Sequence, residues 1–295
     1  MAPTVTPPTA SDPIPTDSTS VEVGFDFSQG TILLEVDLSG GHIVKLALDT
    51  GDEASVLDLE VAKAMNLPFD KLPDKIFNIQ PGKGPDLSVP QIAVTKVKVG
   101  GGEFHSKNFL VLPIAESLKT MGVDSQGTLG YRFFQEQVIQ IDYPASKLRV
   151  LPEMPPKPEG AVVLPMQWKQ YLKDGPYLIT TDQFHVGDHA LVAQFDTLFA
   201  RSMILFTTKV PWLESERIKE LPPFFYEEGI LRPVQPAGTV ALGDHRYEPT
   251  PPAYLADKEA RVPETDITAV LGNVFFLNAV VTLDYKKDRM MVEWK

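Results

Sequence analysis

Apolar residues come along this chain in short runs bounded by Gly, Asp or Pro, and few of them fall at helical spacing. Segments 31–36, 44–48, 92–99, 138–141, 191–195 and 280–283 are β-branched and punctuated by turn residues, the pattern of strands. Helix is scarce. One is predicted from Asp58 as N-cap through LEVAKAMN to a stop at Leu67-Pro68, with Val61, Ala62 and Met65 on one face. A second covers 114–121 and closes at Gly122. VGGGEF at 99–104 reads as a hairpin turn, since the helix and Lys-Ser or Lys-Thr of a phosphate loop do not follow. No apolar run approaches the ~18 residues that cross a bilayer.

The pattern occurs twice. Residues 129–150, LGYRFFQEQVIQIDYPASKLRV, align without gaps on residues 271–292, LGNVFFLNAVVTLDYKKDRMMV, keeping a Leu-Gly, a Phe-Phe and an Asp-Tyr in one register. Upstream, KVKVGGGEF from Lys96 matches TVALGDHRY from Thr239, apolar for apolar. At nearly the same offset Asp49 falls on Asp196, Thr50 on Thr197 and Gly40 on Gly187. LALDTGDEASVL at 46–57 therefore has a counterpart in VAQFDTLFARSMI at 192–204. The duplication predicts an all-β chain of two pseudo-symmetric lobes with a cleft between them. The divisions are a Pro/Thr/Ser-rich disordered linker at 1–20, an N-terminal lobe at 21–152, a connection at 153–160 within LPEMPPKPEG, and a C-terminal lobe at 161–295.

Composition narrows the chemistry. Hydrophobic residues make up 43% of the 295, enough for a real core. The net charge of −12 argues against nucleic acid or an anionic membrane as partner, because both need clustered Lys and Arg. With no cysteine there is neither a disulfide framework nor a thiol nucleophile. No Gly-x-Ser-x-Gly occurs, so no serine nucleophile is indicated. His185 and His189, with Asp182 and Asp188 nearby, lie in strand and turn, where positions i and i+4 are too far apart to share one metal ion. No metal and no cofactor are expected. The N-terminus lacks a signal-peptide pattern, yet the Thr/Pro-rich start favours an exported protein, periplasmic or secreted, as an expectation from composition.

Acids crowded against buried strands are costly unless something uses them. Two carboxylates ~3 Å apart cannot both ionise, so one proton is shared. The ionised member can then take a proton from water while the protonated member polarises a peptide carbonyl. Each Asp must end a strand on a tight turn, with Thr packing inward and Gly admitting the partner carboxylate. A duplicated chain delivers one such Asp per lobe.

LALDTGDEASVL, followed by GTLGYRFFQEQVIQIDYPASKLRVL, resembles the aspartic peptidases of the pepsin and retropepsin superfamily, most of all bacterial retropepsin-like members. The resemblance spans essentially 21–295 and implies a compact two-lobed endopeptidase acting on an extended polypeptide as a monomer. It implies catalytic roles for Asp49 and Asp196, interlobe hydrogen bonding for Thr50 and Thr197, a supporting place for Gly51, and bracing by Leu129-Gly130 and Leu271-Gly272. It also implies a flap, for which 77–91 has the Gly and Pro turn chemistry.

The chain departs from the family at two points. Asp52 and Glu53 follow Asp-Thr-Gly where Ala, Ser or Thr is usual; they either raise the pKa values of the pair or point outward into a salt bridge. The second turn reads Asp-Thr-Leu-Phe, where a left-handed backbone at Leu198 would be strained and the side chains of Leu198 and Phe199 would narrow the cleft. Arg201, reaching Asp196, would hold it ionised. From these follow two alternatives: a degenerate scaffold that binds a peptide or protein without cutting it, and a homodimer pairing Asp49 with Asp49 of another chain.

Overall fold

The computed structural model describes residues 20–38, 41–67, 91–170, 177–226, 229–256 and 265–295, with the side chains of 106, 224–226 and 229 left aside. The linker at 1–19, Gly40 and the flap segment 77–90 lie outside the described residues. Strand dominates, as the short apolar runs predict.

In the first half, six strands close a barrel in the order Leu33–Leu38, His42–Asp49, Gly127–Gly130, Ser55–Asp58, Gly102–Leu112 and Gln91–Val99. Its alternating positions Leu34, Val36, Leu46, Leu48, Leu57, Val97 and Val99 are buried inside. The hairpin at Val99 and Gly102 turns through Gly100, whose φ of 58° suits glycine. In the second half, eleven strands form one open sheet with His189–Phe195, Ala269–Leu271 and Met203–Phe206 at its middle. The hairpin Val240–Leu242 to His245–Tyr247, turning at Gly243 with φ 56°, repeats the one at Gly100.

The expected helix forms at Leu59–Ala64 but stops short of Pro68, because Asn66 takes φ 51° and Leu67 N–H folds back to Ala62 O at 3.1 Å. Asp58 caps it, accepting from Glu60 N–H at 2.9 Å, and its other oxygen takes Ala115 N–H at 3.0 Å, so it also anchors the second helix, Ala115–Thr120.

A third sheet is shared by both halves. Val21–Gly24, Lys147–Leu151 and Val138–Asp142 from the first continue into Ala279–Asp284, Arg289–Trp294 and Val162–Pro165 from the second. At its centre Gln140 lies opposite Thr282, its own counterpart in the duplication, and Gln140 Nε2 donates to Thr282 Oγ1 at 3.1 Å. The pseudo-dyad therefore passes between these two residues. The chain between Leu151 and Val162 joins strands on opposite sides of that centre, with Met154 buried against Val138, Ala161 and Met291. Ile139, Ile141, Val281 and Leu283 on the other face join the main core, which runs through both lobes.

Candidate active site

Each half ends a strand with an aspartate beside a parallel Leu-Gly strand. Asp49 pairs with Gly130 in His42–Asp49 against Gly127–Gly130. His189–Phe195 runs parallel to Ala269–Leu271, and Asp196 N–H donates to Leu271 O at 2.9 Å. A Cβ at Gly130 would fall 2.4 Å from Ala54 O, and one at Gly272 the same distance from Phe199 O, so both strands pass the turns at a range only glycine permits. These are the two bracing elements the sequence pointed to.

The turns meet on the pseudo-dyad. Thr50 N–H donates to Thr197 Oγ1 at 3.0 Å and Thr197 N–H donates to Thr50 Oγ1 at 3.1 Å. Each hydroxyl donates a hydrogen bond to the other half's strand: Thr50 Oγ1 to Phe195 O at 3.1 Å, Thr197 Oγ1 to Leu48 O at 2.7 Å. Both threonines are fully buried, so breaking one bond strands polar atoms on both sides. Gly51 is required for space: a Cβ there would lie 2.5 Å from Asp196 Cγ. Gln194 Nε2 adds a bond to Gly51 O at 3.3 Å.

The carboxylates differ in detail. Asp49 Oδ1 accepts from Gly51 N–H at 3.0 Å; Asp196 Oδ1 accepts from Leu198 N–H at 2.8 Å and Phe199 N–H at 3.3 Å. Burial holds Asp49 well above the usual carboxylate range, with the charges of Asp196 and Asp52 adding and the N–H groups of Gly51 and Asp52 opposing. Asp196 is pushed up to about 6, again by burial first, with the charge of Asp52 adding against the two N–H groups. Asp52 is itself raised by burial, against N–H bonds from Ala54 and Glu53. Of the two extra acids, Glu53 makes the salt bridge, to Arg132, and its other oxygen takes Tyr177 N–H at 3.3 Å; Asp52 belongs electrostatically to the pair.

The obstacles expected in the second turn are not realised. Positive φ among described non-glycine residues is confined to Asn66, Ser146 and Asp288, so Leu198 carries no left-handed strain, and Gly51 is not left-handed either. Leu198 packs partly against Leu33, Ala47, Leu118 and Val123, and Phe199 is buried with Ile204, Phe206, Tyr254 and Val270. Both apolar side chains thus go into packing. Arg201 Nη1 donates to Ala200 O at 2.8 Å, and the upward shift of Asp196 is opposite to what a pairing arginine would produce.

Other features take structural places. Asp142 accepts from Ala145 N–H and faces Arg149, while Asp284 accepts from Lys287 N–H and Arg289 Nε. His189 stacks on Trp212 at 3.7 Å, and His185 lies within the strand Tyr177–Val186.

Two residues near the turns were not singled out from sequence. Gln194 is a polar residue between Ala193 and Phe195, and Asn273 replaces Tyr131 at the first position after Leu-Gly. Tyr143, of the repeated Asp-Tyr read as structural, reaches Asn273 with its hydroxyl at 2.8 Å. A comparison of the two copies for differences, rather than identities, would have marked both.

Residues 34–133 match the family model described as aspartyl protease, so the resemblance read from the sequence holds across the first turn and its bracing strand. A search of the curated proteins finds no match. Among solved structures the chain is similar to Basic 7S globulin from soybean, at 13% identity and a TM-score of 0.49, over 93% of this chain and 94% of that one.

Proposed function

We propose that this protein is an aspartic endopeptidase that hydrolyses peptide bonds of an extended polypeptide with a water activated between Asp49 and Asp196. The observation that carries the reading is the reciprocal threonine pairing, which puts both aspartate turns on one axis with the Asp196 carboxylate against Gly51. Burial holds both carboxyls above the usual range, so the pair carries one proton; in this reading it sits on Asp49, which the charges of Asp196 and Asp52 both push up, and Asp196 is the base. Asp196 takes a proton from water as the oxygen attacks the scissile carbon, and Asp49 gives its proton to the carbonyl oxygen. Collapse of the tetrahedral diol returns a proton through the pair to the leaving nitrogen, which regenerates the starting state. No metal or cofactor enters this chemistry.

The second Asp-Thr turn occupies the place a partner chain would fill, which supports a monomer. A net charge of −12 supports a polypeptide rather than nucleic acid or an anionic membrane as partner, and among described residues no helix is long and apolar enough to cross a membrane. A location outside the cytoplasm, periplasmic or secreted, is part of the proposal and rests on composition alone.

A second reading keeps the cleft for binding an extended peptide without cleavage; it rests on the departure of the second turn from Asp-Thr-Gly, with Leu198 in place of Gly51. Digestion of a denatured protein mixture across acid to neutral pH, with and without a statine-containing peptide, separates the two. Inhibitable cleavage, lost by ~10³-fold or more in both Asp49→Asn and Asp196→Asn, is the expected result. No cleavage by the wild type at any pH would move the assignment to the binding scaffold.

A further inference from the structure

Asn273 is wholly buried, and its side chain connects three separate parts of the chain. Nδ2 donates to Thr197 O at 2.5 Å and to Gly30 O at 3.0 Å; Oδ1 accepts from Tyr143 OH at 2.8 Å. Its own N–H donates to Phe199 O at 3.0 Å, so backbone and side chain grip the second turn at two carbonyls. Gly30 belongs to the N-terminal lobe and lies close to Ala200, where a Cβ on the glycine would come 3.2 Å from Ala200 Cβ. Tyr143 is itself fixed by edge contacts with Phe25 and Phe27. An amide fits this position because it supplies two donors for two carbonyls and one acceptor for a hydroxyl, with no charge beside Asp196.

The first turn has the backbone half of this brace, Tyr131 N–H donating to Asp52 O at 2.9 Å, and lacks the side-chain half. Tyr131 occupies the corresponding place and packs against Trp168 and Tyr285. Tyr285, the counterpart of Tyr143, keeps a buried hydroxyl with no hydrogen-bond partner among the described residues. The side-chain brace therefore accompanies the turn that has Leu198 instead of glycine.

We propose that Asn273 is a positioning residue for the reaction: by tying Thr197 O to Gly30 O and Tyr143, it holds the Leu-containing turn so that Asp196 keeps its place opposite Asp49. The inference rests on the proposed function for its catalytic consequence. Its geometric content stands apart, because the carboxylate of Asp196 titrates whether or not the protein turns over a substrate.

The test follows the ¹³C-carboxyl titration of Asp196, assigned with Asp196→Asn, together with turnover of a denatured protein and of a peptide from its digest. Asn273→Asp keeps an acceptor for Tyr143 but replaces the donor facing Thr197 O with an oxygen. Of the titratable groups, Tyr143 bonds this side chain directly, the charge of Asp196 reaches Tyr143, and that of Asp52 reaches Asp196. The Asn273→Asp change adds a charge to this set. It should raise the Asp196 midpoint by roughly one pH unit and lower kcat ~10-fold or more, with KM within about twofold. Tyr143→Phe, the gentler change, should lower kcat about threefold, since the amide loses only its acceptor-side bond. An unchanged midpoint or an unchanged kcat in folded Asn273→Asp overturns the proposal. If the wild type cleaves nothing, the proposed function fails and the midpoint alone decides this inference.

Discussion

The two aspartate turns present the same backbone solution built from different side chains. In the first, glycine at position 51 leaves room for the partner carboxylate, and the neighbourhood carries extra acid in Asp52 and Glu53. In the second, Leu198 and Phe199 anchor the turn in two apolar clusters, and Asn273 clasps its carbonyls. Space for a carboxylate is needed on one side of the pair, whereas on the other the requirement is only that the two N–H groups reach Oδ1 and the threonine cross-bonds close. A turn can lose its glycine and keep its geometry when side-chain packing takes over the restraint.

The sharpest way to break this comparison is to exchange the two constraints. Gly51→Ala puts a methyl 2.5 Å from Asp196 Cγ and should reduce activity ~100-fold or more while the protein remains folded. Leu198→Ala should leave activity within about threefold and lower stability by roughly 1–2 kcal/mol in urea unfolding, since this side chain is only partly buried. Equal losses from both changes would mean that the turns are interchangeable after all.

The next effect is on stability and distinguishes the carboxylates by pH. Asp196 has a folded value of about 6 against 3.8 when unperturbed, so its protonated form stabilises the fold fully below pH 3.8 and that contribution is lost as pH rises through 6. Asp196→Asn should therefore stabilise the fold at pH 7 to 8 by an amount on the order of 1–3 kcal/mol, read as a higher thermal midpoint, and change the midpoint little at pH 3.5. A midpoint gain that is the same at both pH values would count against a raised Asp196.

The smallest change is electrostatic. Asp52 contributes an upward push to both members of the pair. Asp52→Ser should move the alkaline limb of the activity profile to lower pH by roughly half a unit to one unit, with the peak rate within about threefold. A profile that stays in place would show that Asp52 is screened from the pair and belongs with Glu53 as a structural acid.

Much of this was legible because a duplication converts sequence into distance. Two segments in one register imply two structures in one arrangement, and that fixed the lobes, the bracing Leu-Gly strands and the meeting of Thr50 with Thr197. Local signals also held: Asp58 caps its helix and Gly100 turns its hairpin. The strain anticipated at Leu198 did not follow, because the clash that makes glycine necessary lies with the opposite carboxylate, a contact between residues far apart in sequence. The helix at 59 ended early for a local reason: Asn66 takes the left-handed conformation two residues before Pro68 would have stopped it. Asn273 was hidden because its value depends on three carbonyl and hydroxyl partners that only the fold brings together from distant segments.

The pairing of Gln140 with Thr282 at the centre of the shared sheet carries a lesson about ancestry. A strand that faces its own counterpart across an axis asks nothing of its partner that an identical copy could not supply. A half-length chain bearing this strand and one aspartate turn could have built the same sheet and the same carboxylate pair by self-association. With the copies joined through 152–161, the two turns need not be alike, and here one carries glycine and the other leucine with an asparagine clasp.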